Sequence, residues 1–310
     1  MGKNRAWWLL MFCNLFWAGN YVFGKFVVTE MTPLWLTFAR WVLALLVLIP
    51  LAQVLEKPDW KQAAKAWLPL SFMGLLGVIG FNVLLYTSLK HTSATNAALV
   101  TALNPVVIVL LSVFFLREKV SRIQASGFIL SLLGVLVILT QGNIVRVFQA
   151  QYNQGDLLVL CCVLVWTLYS IIGKRVKGVP PVTATAASTF LAAIMMLPFA
   201  IVQGIDFSIL SPLAFSGILY IVLFPSICSF VFWNVSVRAV GASQAGITLN
   251  LIPVFTAMIS VILGDSITQA QVWGGLLVFI GVTFASGLID QQWKRRKAKQ
   301  SAEVMDRKTI

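Results

Sequence analysis

The chain has 310 residues, of which 59% are hydrophobic and only 11% charged, and its mean hydropathy is +0.90. A soluble domain carries about 25% charged residues, so this chain cannot cover a soluble surface of its size. The 23 basic and 10 acidic residues give a net charge of +13. The basic residues stand in short islands between apolar stretches, which argues against a nucleic-acid binder and leaves a membrane protein.

A helix needs roughly 20 mostly apolar residues to cross the hydrocarbon core. Ten segments qualify, at about 6–26, 34–54, 67–88, 93–116, 123–140, 156–173, 182–203, 212–236, 242–263 and 269–289. Their apolar runs are continuous, without the alternation of a transmembrane barrel, so the expected fold class is an all-α polytopic membrane protein. The first run is long and studded with Asn14, Asn20 and Tyr21, and no small-residue cleavage site precedes Lys25. It reads as a retained helix and not a signal peptide. Cys13, Cys161, Cys162 and Cys228 all fall inside spans and have neither a zinc spacing nor a disulfide framework.

Lysine and arginine counts set the orientation. With the N-terminus in the cytoplasm, 19 of the 23 basic residues lie on the cytoplasmic side, against Lys25, Lys90 and Arg146 outside; Arg40 falls within the second span. Both termini are then cytoplasmic. The basic tail 291–310, with Lys294, Arg295, Arg296 and Lys297, is expected to hold the C-terminus there and to contact anionic lipid.

The chain resembles itself at a shift of about 148 residues. Leu15-Phe16-Trp17 leads to Gly24-Lys25 as Leu164-Val165-Trp166 leads to Gly173-Lys174. Pro33 matches Pro181, Lys90 matches Arg238, Ala94 and Ala97 match Ala242 and Ala245, and Pro105 matches Pro253. At a shift of 147, Glu118, Gln124, Gly127 and Gly134 match Asp265, Gln271, Gly274 and Gly281. Two units, 1–145 and 146–290, each of five helices, would be inserted in opposite senses, and inverted repeats of this kind are a transporter signature.

On these residues the five-helix unit resembles the EamA domain of the drug/metabolite transporter superfamily, present twice. The resemblance implies a bacterial inner-membrane transporter working by alternating access, with helices 1, 3, 4, 6, 8 and 9 around the path. Similar proteins export amino acids, metabolites, purines or drugs.

The polar residues inside the spans are the candidate site. Asn14, Trp17 and Tyr21 share one face of helix 1. Asn82 and Tyr86 on helix 3, Thr101 and Asn104 on helix 4, Trp166 and Tyr169 on helix 6, Ser229 and Trp233 on helix 8, and Thr248 on helix 9 complete the expected substrate-binding set. Asn96, Gln244 and Asn250 are further cavity candidates, and many such groups alternatively hold helices together. Pro105 and Pro253, in the middles of helices 4 and 9, each remove a backbone donor and are expected as hinges. Gly127 with Ser131, and Gly281 with Ala285, form small faces for helix packing or a homodimer contact.

Arg40 is the one clear charge within the hydrocarbon, and either meets an anionic substrate group or snorkels to the interface. Asp156, Glu118 and Asp265 lie at span ends, where capping explains them. With no central carboxylate, proton coupling through one is not expected, and neutral or zwitterionic solutes such as amino acids suit the pocket. No cofactor, metal or nucleic acid is expected; the partners are a small-molecule substrate and lipid, and the chain is a monomer or homodimer. Two other readings remain open at this level, a multidrug efflux protein for lipophilic compounds and a non-saturable channel. An intramembrane enzyme is disfavoured by the single histidine, His91.

Overall fold

The computed structural model describes residues 2–92, 100–101, 103–118, 120–143, 145, 148, 153–204, 210–262 and 266–285. Asn96, Asp265 and the basic tail lie outside them. The described residues form helices and no strand. In order these are α1 (Lys3–Glu30), α2 (Pro33–Glu56), a short α3 (Trp60–Lys65), α4 (Trp67–His91), α5 (Asn104–Leu116) and α6 (Arg122–Thr140). There follow α7 (Gln154–Arg175), α8 (Pro181–Gln203), α9 (Pro212–Val240), a segmented α10 (Ala242–Gly246, Ile247–Asn250, Leu251–Ile262) and α11 (Gln269–Ala285).

Seven of these helices are long and apolar enough to cross a membrane: α2, α4, α6, α7, α8, α9 and the Ala242–Ile259 stretch of α10. The apolar α5 and α11 are shorter, and α1, at 28 residues, is long but less apolar than its neighbours. Large apolar side chains cover the outer surface as well as the core, and polar ones are found buried among them. Leu46, Phe114, Phe199, Val202 and Ile262 are exposed, whereas Asn14, Arg40, Asn82, Thr167, Ser229 and Thr248 are buried. Lipid in place of water accounts for this, since tails favour apolar contact and polar groups find partners inside.

The helices pair reciprocally at the shift seen in the sequence. α1 packs on α9 as α7 packs on α4, while α2 packs on α8, α5 on α10 and α6 on α11. Reciprocal pairing of equivalent elements is the mark of a pseudo-two-fold relation. The α6–α11 contact is the most extensive and is made by glycines. A Cβ on Gly127 would lie 2.6 Å from the Gly281 carbonyl, and one on Gly134 2.6 Å from the Gly274 carbonyl. Residue numbers rise along α6 as they fall along α11, so the two helices run antiparallel. The small faces are therefore covered within the chain.

α4 and α9 share a second equivalence. Each contains a seven-residue π-helical stretch, Gly74–Gly80 in one and Val222–Cys228 in the other, again 148 residues apart. Wide turns leave carbonyls poorly paired, and nearby side chains satisfy them. Asn82 Nδ2 donates to the Gly77 and Val78 carbonyls at 3.2 and 2.8 Å, and Ser226 Oγ to the Ile221 carbonyl at 2.7 Å. In α9, Pro225 removes a donor altogether. π turns of this kind recur at functional sites.

Acidic residues at helix ends join the two repeats. Glu30 accepts from Ser211 N and Oγ at 2.7 and 2.8 Å. Glu56 accepts from Val182 N and Thr183 N at 2.9 and 2.7 Å, and Glu118 from Ala242 N and Ser243 N, both at 3.0 Å. Asp156 accepts from Thr92 Oγ1 and, in a capping box, from Asn153 N. Each carboxylate sits where a helix N-terminus or loop leaves backbone or hydroxyl donors unpaired, which is favourable for an anion. The capping role expected of Glu118 and Asp156 is what the structure contains.

Two predictions follow from this packing. Gly134→Val forces a branched side chain into the Gly274 backbone, and is expected to destabilise the protein by at least about 1–3 kcal/mol. An unchanged thermal unfolding midpoint in detergent would count against that contact. Glu30 is partly exposed, and the donors of Ser211 hold its carboxyl below the ordinary value of 4.5. A depressed folded-state pKa contributes stability above the unfolded value and loses it as pH falls through the folded value. The melting difference between wild type and Glu30→Gln is therefore expected at pH 7 and to shrink as the pH falls below the ordinary carboxylate value.

Candidate functional site

The site is built around Arg40, two turns into α2. Its side chain is 1% exposed and does not snorkel. Nε donates to Ser226 Oγ at 2.7 Å, and Nη1 reaches Tyr86 Oη at 2.6 Å, Asn82 Oδ1 at 3.0 Å and Asn20 Oδ1 at 3.3 Å. Tyr86 Oη in turn donates to Asn20 Oδ1 at 3.0 Å, and the guanidinium carbon stands 5.2 Å from the Trp41 ring centre. The two side chains that donate to carbonyls at the π stretches, Asn82 and Ser226, are thus the same residues whose oxygens accept from Arg40, so the wide turns and the charge are one construction. Placing an arginine mid-span costs about 2.5–3.5 kcal/mol on insertion scales. Hydrogen bonds to a charged group contribute about 1.5–3 kcal/mol each, so these neutral oxygens offset the burial while leaving the charge itself unneutralised.

Beside Arg40 lies a small central cavity lined by Trp17, Asn20, Tyr21, Asn82, Thr101, Asn104 and Trp166, with Phe81, Leu85, Phe230, Leu249 and Ile252 as its apolar walls. Its volume is about 30 Å³, room for a single water. The repeat-equivalent Trp17 and Trp166 meet edge to face at its rim, with ring centres 5.0 Å apart. Phe230 stands 6.0 and 5.6 Å from them and 4.5 Å from Trp41. Trp17 Nε1 donates to the Pro225 carbonyl at 3.3 Å. Two polar atoms of lining residues have no hydrogen-bond partner among the described residues, Trp166 Nε1 and Asn104 Oδ1. Both side chains are buried, at 2% and 4% exposure.

Six of the expected residues therefore line one cavity: Trp17, Tyr21, Asn82, Thr101, Asn104 and Trp166. Tyr86 sits behind Asn82, holding Arg40. The others do not line it. Asn14 donates to Thr248 Oγ1 at 2.9 Å, tying α1 to α10. Ser229 donates to the Cys13 carbonyl at 3.1 Å, and Trp233 Nε1 to Ser170 Oγ at 3.3 Å. Tyr169 Oη accepts from Asn234 Nδ2 at 2.6 Å, and Asn250 reaches Ser131 Oγ on α6 at 2.9 Å. Arg40 and Asn20 belong to the site although neither stood in the expected set; the charge of Arg40 within a span was the available signal.

The prolines sit differently from the expectation of mid-helix kinks. Pro105 lies in the first turn of α5, where its missing N–H leaves no helical bond unmade. In α10 a 3₁₀ turn over Ile247–Asn250 precedes the α-helical segment that begins at Leu251, and Pro253 lies in that segment's first turn. The break thus falls before each proline, at Leu103 and at Ile247–Asn250, and Asn104 and Thr248 stand at those breaks.

Among the described residues, helices with apolar outer faces around a polar cavity between two equivalent halves are those of a polytopic membrane protein. The EamA-like transporter family matches this chain twice, over residues 4–140 and 153–287, and the chain belongs to that family. An uncharacterized transporter of Bacillus subtilis (strain 168), YyaM, is 29% identical over 287 residues, covering 91% of this chain and 93% of its own. The aromatic amino acid exporter YddG of Ancylobacter novellus is 25% identical over 202 residues, covering 63% of this chain and 68% of its own. A solved structure titled only as that of a protein superposes with a TM-score of 0.75 over 94% of this chain and 99% of that one, at 19% identity, which establishes a shared fold.

Tyr86→Phe removes the acceptor closest to Nη1 and the donor to Asn20. A loss of about 1.5–3 kcal/mol in unfolding free energy is expected, read by denaturation in detergent; a neutral effect would mean that the oxygens around Arg40 do not carry its burial.

Proposed function

We propose that this protein exports small neutral or zwitterionic metabolites, amino acids among them, across a bacterial inner membrane by alternating access. The observation that carries the reading is the central cavity, whose walls come from both repeats and whose rim is the contact of their equivalent Trp17 and Trp166. In this reading the chain makes ten spans, with both termini in the cytoplasm as the 19 cytoplasmic basic residues require. Five helices per repeat invert one half relative to the other, and the antiparallel run of the equivalent α6 and α11 supports that inversion. Inverted halves exchange their conformations around a fixed central site, opening it to either side in turn.

The chemistry of the lining favours a modest cargo. One buried arginine is too few for a nucleotide or sugar phosphate, whose charge calls for several. Amides, hydroxyls and rings suit an amino acid, and a relative named as an aromatic amino acid exporter is consistent with this. The cavity's small volume means that occupation requires the rings to part, which favours saturable carriage over an open channel.

Purified protein in liposomes is expected to catalyse saturable counterflow of labelled amino acids, reduced at least about tenfold by Trp17→Ala at unchanged expression. Flux that rises linearly with concentration would sink the carrier reading. Counterflow of multiply charged anions with none of amino acids would sink the proposed cargo.

A further inference from the structure

Resting on the reading of this cavity as the substrate site, we propose that Arg40 is its carboxylate anchor, and that the cargo is an α-amino acid held as a zwitterion between Arg40 and Asn104. Arg40 remains charged at any physiological pH, yet among the described residues no carboxylate pairs with it. The described acidic residues are all committed elsewhere: Glu30, Glu56 and Glu118 to helix N-termini of the second repeat, Asp156 to Thr92 and Asn153, and Asp59 to the start of α3. Nη2 donates to none of the described residues, while Nε and Nη1 are occupied. The guanidinium is therefore held by one edge and keeps donor capacity on the cavity side, where Trp166 Nε1 is a second unpaired donor. A carboxylate accepts from both, and its pairing with a guanidinium is the strong, charge-assisted kind.

The second repeat shows that the fold does not need this charge. Counting seven residues on from Pro33 and from Pro181, each at the start of its helix, pairs Arg40 with Ser188. There the equivalent region is closed by neutral groups. Asn234, the counterpart of Tyr86, donates to Tyr169 Oη at 2.6 Å and to Thr185 Oγ1 at 2.8 Å, and Ser188 Oγ bonds its own helix at 3.0 Å. The same packing problem is solved once with a buried charge and once without, and the charged solution is the one that faces the cavity. The unpaired Asn104 Oδ1 supplies the complementary acceptor. One cation with spare donors and one spare acceptor in the same cavity match a carboxylate and an ammonium, the two ends of an amino acid.

The test reads ligand-dependent thermal stability in detergent, since a ligand that binds the folded state raises its melting temperature by mass action. L-Alanine, L-leucine and L-methionine are each compared with their amides and with the matching acid lacking the amino group. The amino acids are expected to stabilise most, the desamino acids less, and the amides about 10- to 100-fold less tightly than the amino acids. Arg40→Ser, the residue type of the second repeat, is expected to keep a cooperative melt and lose the preference for acid over amide, and Arg40→Lys to keep part of it. Equal stabilisation of wild type by acids and amides, or stabilisation by no acid, overturns the proposal, as does a preference that survives in Arg40→Ser. If Arg40→Ser does not fold, the wild-type comparison of acid with amide still decides. Acid-selective binding without amino-acid counterflow leaves the anchor standing and removes the export reading; counterflow that accepts amides equally does the reverse.

Discussion

Lipid offers no hydrogen bonds, so the backbone polar groups placed between the two faces of this protein must find their partners within the chain. That constraint organises the structure at three scales. It makes the long apolar segments of the described residues helical. It sends carboxylates to the helix N-termini, so that Glu30, Glu56 and Glu118 each close donors that a helix of the other repeat leaves open. It also permits wide turns only where a side chain repairs them, as Asn82 does for the Gly77 and Val78 carbonyls and Ser226 for Ile221.

The same two side chains then do a second task. Having donated to the carbonyls of the π stretches, Asn82 and Ser226 present their oxygens to Arg40. Local backbone irregularity, usually a cost, is what turns polar groups from two different helices toward one buried cation. The cavity beside it is bounded by Trp17 and Trp166 and has room for about one water. Those two rings belong to different repeats, so the wall of the cavity is shared between the halves.

The broad outline was legible from apolar run length, because crossing hydrocarbon fixes a minimum stretch that no soluble fold needs. The repeat was legible too, through residues that hydrophobicity alone does not explain, and Pro33 and Pro181 do start equivalent helices. The site was legible in part. Trp17, Asn82, Thr101, Asn104 and Trp166 converge on the cavity, while Asn14 and Thr248, also polar and buried, meet each other between α1 and α10 and do not line it. A helix face can be read from spacing, but whether a neighbouring helix already occupies that face cannot. The prolines show a related limit: a proline in an apolar run looks like a kink, and only the backbone reveals that the helix restarts just ahead of it.

Sequence by itself determined that this chain has the long apolar runs of a membrane protein, that it carries the EamA pattern twice, and that Arg40 falls inside one of those runs. Those features depend on composition, run length and internal repetition, which are properties of a single strand of letters. Tertiary structure decided what the arginine does. An isolated helix 2 would let Arg40 reach for the interface; oxygens from α1, α4 and α9 hold it inside instead. Because those partners lie up to 186 residues away, the direction of that side chain is set only when the two repeats close around it.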